Sequence, residues 1–471
     1  MITTLDHTIK EFIQQALEEA KQTNQSVIVS SVKEVDAMDP LHFFASGEEL
    51  SLGERFVWST PERDFTMVGL GNELVIENNK ESNQRFQEIE KEWKRSPKKV
   101  ISDRKNEIGT GPLLFGGFSF DPIKEKSPLW DSFAEAKFVL PTTMLSIVQN
   151  KTYLTINKII SPYDELDVCI KHFENSIELS HSFPYSLDCE KVNEFSTIEY
   201  KTSEWLKAVQ QATKDIQSKE MDKVVLAREV HLKFTEKINS YQVINNLLKE
   251  QPTSYVFDFE IGNQHFVGAT PERLIKKKNT QVLSTCLAGS IKRGKTEEQD
   301  QGLGHQLLND DKNLIEHSIV VKMIKAAIDT CCDEVSVPKY PILYKTKNIQ
   351  HLYTPVKGIA KEGLSFLSMV ERLHPTPALG GYPKDKAIEK IRELEPMHRG
   401  WYAGPIGWLD HDNNGEFVVA IRSGLLEGQN AALFAGCGIV EESDPKSEYL
   451  ETKIKLKPML SALGGIVNED W

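Results

Sequence analysis

Apolar residues recur along the chain with two different spacings, which separate the predicted strands from the predicted helices. Runs rich in β-branched and aromatic residues predict strands in the first half, among them SVIVSSV, RFVWST, FTMVGLG and KFVLPTTMLSIV. From residue 203 to 217 the apolar residues lie three or four positions apart, which predicts a helix leading into the strand KVVLAREVHLKF. Residues 181–202 have little periodicity and are interpreted as a connection.

Long apolar runs separated by Gly-x-Gly clusters are scarce, so the pattern does not favour a doubly wound parallel sheet. Helices packed on largely antiparallel sheets fit better, and we predict an α+β fold. We expect residues 1–200 to form a weakly patterned N-terminal part of that fold. Residues 201–465 carry the sharper motifs and are predicted to be the catalytic region.

Length, charge and cysteine content narrow the class of protein. The 471 residues suffice for about two or three domains' worth of structure. A net charge of −13 with scattered lysines and arginines argues against nucleic acid as the main partner. No window approaches the roughly 18 uninterrupted apolar residues of a membrane span, and the acid-punctuated N-terminus is not typical of a signal peptide. Six cysteines without metal-binding spacing are expected to be reduced thiols of a cytoplasmic enzyme.

One stretch matches a nucleotide-binding motif. GSIKRGKT, Gly289–Thr296, satisfies the P-loop expression at every position. A P-loop needs a helix whose N-terminus receives phosphates, whereas the following segment EEQDQGLGHQLLND opens with acids. Nucleotide binding is therefore a remote alternative function for this chain.

Lys223 is a candidate base. It begins a predicted strand and shares a face with Val225 and Ala227, whose small side chains leave room for a partly desolvated cleft. Desolvation favours the neutral amine, which can then accept a proton near neutrality. A surface lysine at a strand start is the other interpretation.

Glu272 is a candidate acid. It lies in ATPERLI, after a proline that ends the apolar strand HFVGAT. A carboxyl beside an apolar wall has a raised pKa and can serve as a general acid. A solvated glutamate in a turn is the alternative, and the tetrapeptide Thr-Pro-Glu-Arg also occurs around Glu62.

Three glutamates are candidate metal ligands. Glu316 heads the apolar stripe of the helix predicted from DDKNLIEHSIVVKMIKAAID, and an inward carboxylate is costly without a partner or cation. ESDPKSEYLETK predicts a second helix start, with Glu448 and Glu451 one turn apart. Carboxylates converging from two helix starts suit Mg²⁺. Exposed helical faces with pairs such as Glu451–Lys455 are the alternative.

Anion-binding groups follow near the same end of the chain. Arg422, in the predicted strand FVVAIRSGLL, suits a carboxylate clamp. The glycines Gly436 and Gly438 are predicted to form a turn whose backbone N–H groups can approach an anion closely.

Eight ordered blocks between about residues 200 and 465 resemble the chorismate-utilising enzymes. They are MDKVVLAR, VGATPERL, CLAGSIKRG, NLIEH, LHPTPALGGYP, WYAGPIGW, AIRSGLL and AGCGIVEESDPKSEYLETKIK. This family comprises isochorismate synthases, salicylate synthases, aminodeoxychorismate synthases and anthranilate synthase large subunits. The resemblance implies α/β/β/α layers, with helices outside two largely antiparallel sheets.

Within that family the sequence is similar to the isochorismate synthases. Relatives that add water to chorismate carry a lysine at the position of Lys223, whereas an aminodeoxychorismate synthase would carry a nucleophilic lysine at Ala288. The resemblance implies that Lys223 activates water for attack at C2 and that Glu272 protonates the departing C4 hydroxyl. Chorismate would be the substrate, no glutaminase subunit would be required, and menaquinone biosynthesis would use the product. Siderophore supply and salicylate synthesis stay open as alternatives.

The resemblance also implies a ligand set. Mg²⁺ would be held by Glu316, Glu448 and Glu451, although some relatives carry a further carboxylate where Asn313 stands. Arg422 and Tyr402 would hold the pyruvyl carboxylate. The other pocket residues would be Gly289, Ser290, His351, Gly436, Gly438 and Lys455.

Overall fold

The computed structural model describes residues 7–48, 51–80, 82, 84–95, 97, 99–104, 107–179, 194–347 and 349–464. Most of the predicted connection at 181–202 lies outside these residues. The helices are α1 (His7–Thr23), α2 (Pro40–Ser46), α3 (Arg85–Arg95), α4 (Leu166–Leu179), α5 (Thr202–Gln217), α6 (Ser240–Glu250), α7 (Glu297–Leu308), α8 (Asp311–Cys331), α9 (Phe366–Leu373), α10 (Lys384–Leu394) and α11 (Pro445–Ala462).

The strands account for most of the remaining described chain. They are β1 (Val27–Val35), β2 (Arg55–Ser59), β3 (Phe65–Asn78), β4 (Lys99–Ser102), β5 (Leu113–Phe118), β6 (Ala136–Val148), β7 (Lys151–Ile160), β8 (Phe195–Glu199), β9 (Lys223–Phe234), β10 (Tyr255–Ile261), β11 (Gln264–Thr270), β12 (Arg273–Lys278), β13 (Gln281–Lys292), β14 (Cys332–Ser336), β15 (Ile342–Lys345), β16 (Ile349–Ala360), β17 (Gly381–Tyr382), β18 (Pro405–Asp410), β19 (Gly415–Val419), β20 (Ser423–Glu427) and β21 (Asn430–Ile439).

The strands form two largely antiparallel sheets that are joined at β6. On one side of β6, its N-terminal half pairs with β5 and its C-terminal half pairs with β7. On the other side, β3 pairs with β6 along the whole length of β6. One sheet continues from β3 through β2, β10, β11, β20 and β21 to β9. The other continues from β5 through β18, β19, β12 and β13 to β16. The predicted antiparallel α+β fold is confirmed.

Alternating side chains of one strand enter different cores. In β2, Phe56 and Trp58 lie between the sheets and contact Phe115 of the second sheet. Val57, between them in sequence, belongs to the other core, which lies under the outer helices and includes Phe43 of α2. Helices α8 and α9 cover the second sheet. The period of two therefore fixes which face of each strand meets the other sheet and which meets helices.

Both predicted segments of the chain contribute to both sheets. Strand β2 pairs with β10, and β5 pairs with β18, so strands from before residue 200 lie beside strands from after it. The division at residue 200 stays a prediction about where the motifs lie. None of the described helices is long and apolar enough to cross a membrane.

Candidate active site

A cavity of about 310 Å³ lies where the start of β9, the end of β11, β13 and β21 meet the first turns of α8 and α11. Every residue for which the sequence predicts a catalytic, substrate-binding or metal-binding role lines this catalytic cavity. They are Lys223, Glu272, Gly289, Ser290, Glu316, His351, Tyr402, Arg422, Gly436, Gly438, Glu448, Glu451 and Lys455. The structure thus brings the set together, while each role stays a prediction.

Glu272 is buried beside the cavity, with 6% of its surface exposed. Burial raises the pKa of Glu272 to about 7, although a hydrogen bond from Thr376 and the charges of Arg422 and Lys223 oppose the shift. The Thr376 hydroxyl lies 3.5 Å from Oε1. The interpretation as a solvated turn glutamate is wrong for Glu272 and fits Glu62, which is exposed. Glu272 therefore carries a proton that it can donate near neutral pH.

Lys223 lies against Glu316 at the start of β9. Its Nζ is 2.5 Å from Oε1 of Glu316, and 12% of its side chain is exposed. A Cβ on Gly438 would lie 2.8 Å from the Lys223 Cε, so the glycine provides the space that the lysine occupies. The surface-lysine interpretation is wrong, because the amine projects into the cavity.

The three candidate metal ligands surround the same end of the cavity. Burial and the neighbouring Glu451 raise the pKa of Glu448, whose Oε1 accepts a hydrogen bond of 2.7 Å from Ser443. Burial opposes ionisation of Glu451, yet Lys455, 2.7 Å away, holds its pKa below the ordinary value. In the described part of the chain, no three His, Cys, Asp or Glu side chains converge closely enough to hold a metal ion.

The chemistry of this donor set nevertheless fits Mg²⁺. The ligands are carboxylate oxygens from the first turns of two helices, which are the hard donors that Mg²⁺ prefers. Glu448 and Glu451 repel each other when both are ionised, and a bound cation would remove that repulsion. Because Glu316 and Glu451 each pair with a lysine here, a cation would compete with Lys223 and Lys455 for the same oxygens.

Arg422 does not lie in a strand, which corrects the prediction from FVVAIRSGLL. It occupies the connection between β19 and β20 with φ 51°, a left-handed conformation that costs a non-glycine residue roughly 1–2 kcal/mol. Its carbonyl accepts a hydrogen bond of 3.0 Å from the N–H of Ala269. Strained residues of this kind are typical of functional sites, where surrounding contacts hold them in place.

His351 and Tyr402 are neutral hydrogen-bonding groups of the cavity. Burial lowers the pKa of His351 to about 3, and the charges of Arg422 and Lys455 act in the same direction. Burial raises the pKa of the Tyr402 phenol well above its ordinary value. Both groups therefore stay uncharged at physiological pH and can donate hydrogen bonds to a substrate.

The predicted turn at Gly436–Gly438 is a regular part of β21, which corrects the second local prediction. Gly436 pairs with Ala227 and Gly438 pairs with Val225 of β9. A Cβ on Gly436 would lie 3.3 Å from the Tyr402 hydroxyl. The glycines therefore leave space for side chains of the cavity rather than forming an anion-binding turn.

The P-loop alternative fails on geometry. Residues 290–292 of the motif pair with β16 as part of strand β13. The N–H of Gly294 donates to Oδ1 of Asp300 at 2.9 Å, and Arg293 pairs with the same carboxylate. An acidic side chain of the protein itself thus occupies the place where a phosphate would bind.

The sequence did not indicate the residues that support the cavity wall. Arg399 donates hydrogen bonds to the carbonyls of Val225 (2.8 Å) and Leu379 (2.9 Å), and it forms a buried ion pair with Glu395. Thr376 contacts Glu272. The block LHPTPALGGYP contains Thr376 and Leu379 and could have revealed them, whereas no local pattern identifies Glu395 or Arg399.

Residues 13–464 match the family described as chorismate binding enzyme. The chain belongs to the chorismate-binding enzyme family. It is 47% identical to the isochorismate synthase MenF of Bacillus subtilis, with 99% of each chain covered. It is 33% identical to the salicylate biosynthesis isochorismate synthase of Pseudomonas aeruginosa, with 98% of this chain and 96% of the relative covered.

A solved structure within the chorismate-binding enzyme family has the same fold. The menaquinone-specific isochorismate synthase MenF from Escherichia coli superposes with a TM-score of 0.78 at 24% identity. The alignment covers 96% of this chain and 99% of that structure. This chain therefore shares its fold with that structure.

Proposed function

We propose that the protein is an isochorismate synthase. It adds water to C2 of chorismate and releases the C4 hydroxyl as water, so that substrate and product are isomers. The observation that carries the proposal is the placement of a buried, protonated Glu272 and of Lys223 in one cavity. Near full-length similarity to isochorismate synthases supports it, and similarity to MenF supports use of the product in menaquinone biosynthesis.

The acid and base have different surroundings, as the reaction requires. Glu272, between β11 and β12, donates its proton to the departing hydroxyl. Lys223, at the start of β9, accepts a proton from the attacking water once its amine is neutral. Because the two groups come from different strands, the ring of the substrate can lie between them, with attack and departure on opposite faces.

The cationic and neutral donors of the cavity suit a dianionic substrate. Arg422, Tyr402 and Lys455 bind the pyruvyl carboxylate, since two positive charges and a phenol offset the cost of desolvating an anion. His351 donates from a neutral ring. Gly289, Ser290, Gly436 and Gly438 shape the remaining wall.

Mg²⁺ is the proposed cofactor, held by Glu316, Glu448 and Glu451. When bound, it neutralises the ring carboxylate of the substrate and orients the ring. The protein's own contribution is to keep these carboxylates close to Lys223 and Lys455, whose charges stabilise the site while the substrate is absent.

Chelation with EDTA is expected to abolish turnover, and added Mg²⁺ is expected to restore it. Glu448→Gln should raise the Mg²⁺ concentration for half-maximal activity by at least about tenfold, because one ionic ligand is lost. Exposed Glu442, on the preceding loop, provides the matched control, and Glu442→Gln should leave the metal requirement unchanged. An unaltered metal requirement in Glu448→Gln would remove Glu448 from the ligand set.

Incubation with chorismate and Mg²⁺, followed by chromatography, tests the reaction itself. We expect isochorismate to accumulate without pyruvate and without an aminated product when ammonia is present. Salicylate and pyruvate as main products would replace the proposal with a salicylate synthase. Growth of a strain lacking the protein, restored by menaquinone but not by a siderophore, tests the proposed pathway.

A further inference from the structure

A second cavity, of about 410 Å³, shares no lining residue with the catalytic cavity. It lies between the start of α3, the loop after β5, the end of α9 and one face of α10. We call it the α3–α10 cavity, and its lining comprises Arg85, Phe86, residues 120–123, Glu371, His374, Pro375, Lys384, Asp385, Ile388 and Arg392.

Arg85 is the most buried charged residue of this cavity, with 2% of its surface exposed. Its Nη2 donates to the carbonyl of Ser119 at 3.0 Å, but its Nε has no hydrogen-bond partner. Burial lowers the pKa of Arg85 to about 10, with Glu135 opposing the shift, so the guanidinium is charged at neutral pH. Among the residues that the structure describes, no carboxylate forms an ion pair with it. The Nε has no exposed surface, so a ligand would reach the guanidinium at its Nη groups. A buried cation without a paired carboxylate favours an anionic ligand.

Glu135 is the acid that acts most strongly on Arg85, and it lies outside the cavity lining. The charges within the lining are paired or more exposed than Arg85. Both carboxylate oxygens of Asp121 accept hydrogen bonds from Arg392. Lys384 adds a half-buried ammonium that donates to the backbone. Glu371 and Asp385 are more exposed than Arg85, so the negative charges lie toward the rim. An acid group on a ligand would therefore be stabilised at the buried end.

Apolar groups form the rest of the wall. The rings of Phe86 and Phe120, with Pro122, Pro375 and Ile388, surround the remaining space. The volume is within the roughly 300–1,000 Å³ of small-molecule sites. A buried cation beside these apolar groups fits a small carboxylate with a flat apolar body.

Two contacts connect this cavity to the catalytic cavity. Pro375 lines the α3–α10 cavity, and the next residue, Thr376, contacts Glu272. The Arg399 guanidinium lies 4.0 Å from the centre of the Phe120 ring and also donates to the carbonyl of Leu379 in the catalytic wall. A ligand against Phe120 and Pro375 would therefore lie next to Arg399, which supports the catalytic wall, and next to Thr376, which contacts Glu272.

We propose that the α3–α10 cavity binds a small aromatic carboxylate through Arg85 and that the bound ligand changes turnover in the catalytic cavity. The regulatory half rests on the proposed function, whereas binding can be measured without turnover.

Calorimetric titration with benzoate tests binding, with uncharged benzamide as the matched ligand. We expect binding in the millimolar range or tighter, weakened at least about tenfold by Arg85→Gln because a charge-assisted hydrogen bond is lost. Arg95→Gln, on the same helix with an exposed side chain, should bind as the wild type does. Ile123→Trp, at a position 47% exposed, should close the cavity without disturbing the core.

The catalytic cavity also attracts carboxylates, so Arg422→Gln is the decisive comparison. Benzoate binding that survives Arg422→Gln and is lost in both Arg85→Gln and Ile123→Trp supports the site. The opposite pattern, equal binding of benzamide, or no binding to the wild type would overturn it. In steady-state assays benzoate should change kcat at saturating chorismate, and this change should disappear in Ile123→Trp. Purely competitive inhibition would refute the regulatory half while leaving the binding result intact.

Discussion

Glu272→Gln is expected to lower kcat by about 10²–10⁴ while KM for chorismate changes little, because the lost proton acts mainly in the transition state. Glutamine preserves the shape of the side chain and can still accept the hydrogen bond from Thr376. It cannot donate an acidic proton to the departing hydroxyl. The measurement is steady-state turnover of chorismate with chromatographic detection of the product. Wild-type kcat/KM should also fall as pH rises above about 7, where Glu272 of the free enzyme ionises.

Glu62→Gln is the matched control, since Glu62 occupies the same tetrapeptide in an exposed position. It should leave kcat unchanged, and undiminished turnover in Glu272→Gln would refute the acid role.

The pH dependence of stability gives a second comparison of the two variants. The pKa of Glu272 is raised from 4.5 in the unfolded chain to about 7 in the folded protein. Its contribution to the free energy of unfolding is therefore fully present below pH 4.5 and is lost as pH rises through 7. Above pH 8 the glutamine variant should therefore unfold with about 3 kcal/mol more free energy than the wild type, with no such gain in Glu62→Gln.

Lys223→Gln is expected to reduce kcat by at least about 10³, because glutamine has no basic nitrogen to accept the proton of water. The substitution retains a side chain that can contact Glu316, so the effect reports on the missing amine rather than on an empty space. Chorismate turnover at saturating Mg²⁺ is the measurement, which separates loss of the base from weaker metal binding.

Lys295→Gln is the control for that experiment. Lys295 is the lysine of the P-loop expression and lies in the loop that precedes α7, where its backbone N–H donates to the side-chain oxygen of Gln299 in that helix. A P-loop enzyme would lose function in Lys295→Gln and keep it in Lys223→Gln. We expect the reverse, and activity retained in Lys223→Gln would exclude it as the base.

Much of the fold followed from local pattern. The run RFVWST forms strand β2, as predicted, and the period of two of a strand places Phe56 and Trp58 in one core and Val57 in the other. Helix α11 begins within the stretch ESDPKSEYLETK, as the sequence predicted, at Pro445 after the capping residue Asp444. These features depend on periodicity and capping, which neighbouring residues determine.

The local predictions that were wrong depended on distant contacts. Arg422 leaves the strand because its connection must return from β19 to β20 beside Ala269. The stretch around Cys437 is strand rather than turn because β9 pairs with it. No pattern within ten residues contains either constraint. The support that Arg399 gives to Val225 and Leu379 was invisible for the same reason.

The two Thr-Pro-Glu-Arg copies show which properties the sequence determines and which depend on the tertiary structure. The sequence by itself determined that a proline ends a strand at both places and that a carboxyl follows it. In the first copy, Arg63 donates to the carbonyls of Leu248 and Gln251 at the end of α6, and Glu62 is left in solvent. In the second, segments remote in sequence cover Glu272. Only the tertiary structure decided which carboxyl keeps its proton near neutrality, because ionisation depends on the water that distant parts of the chain exclude.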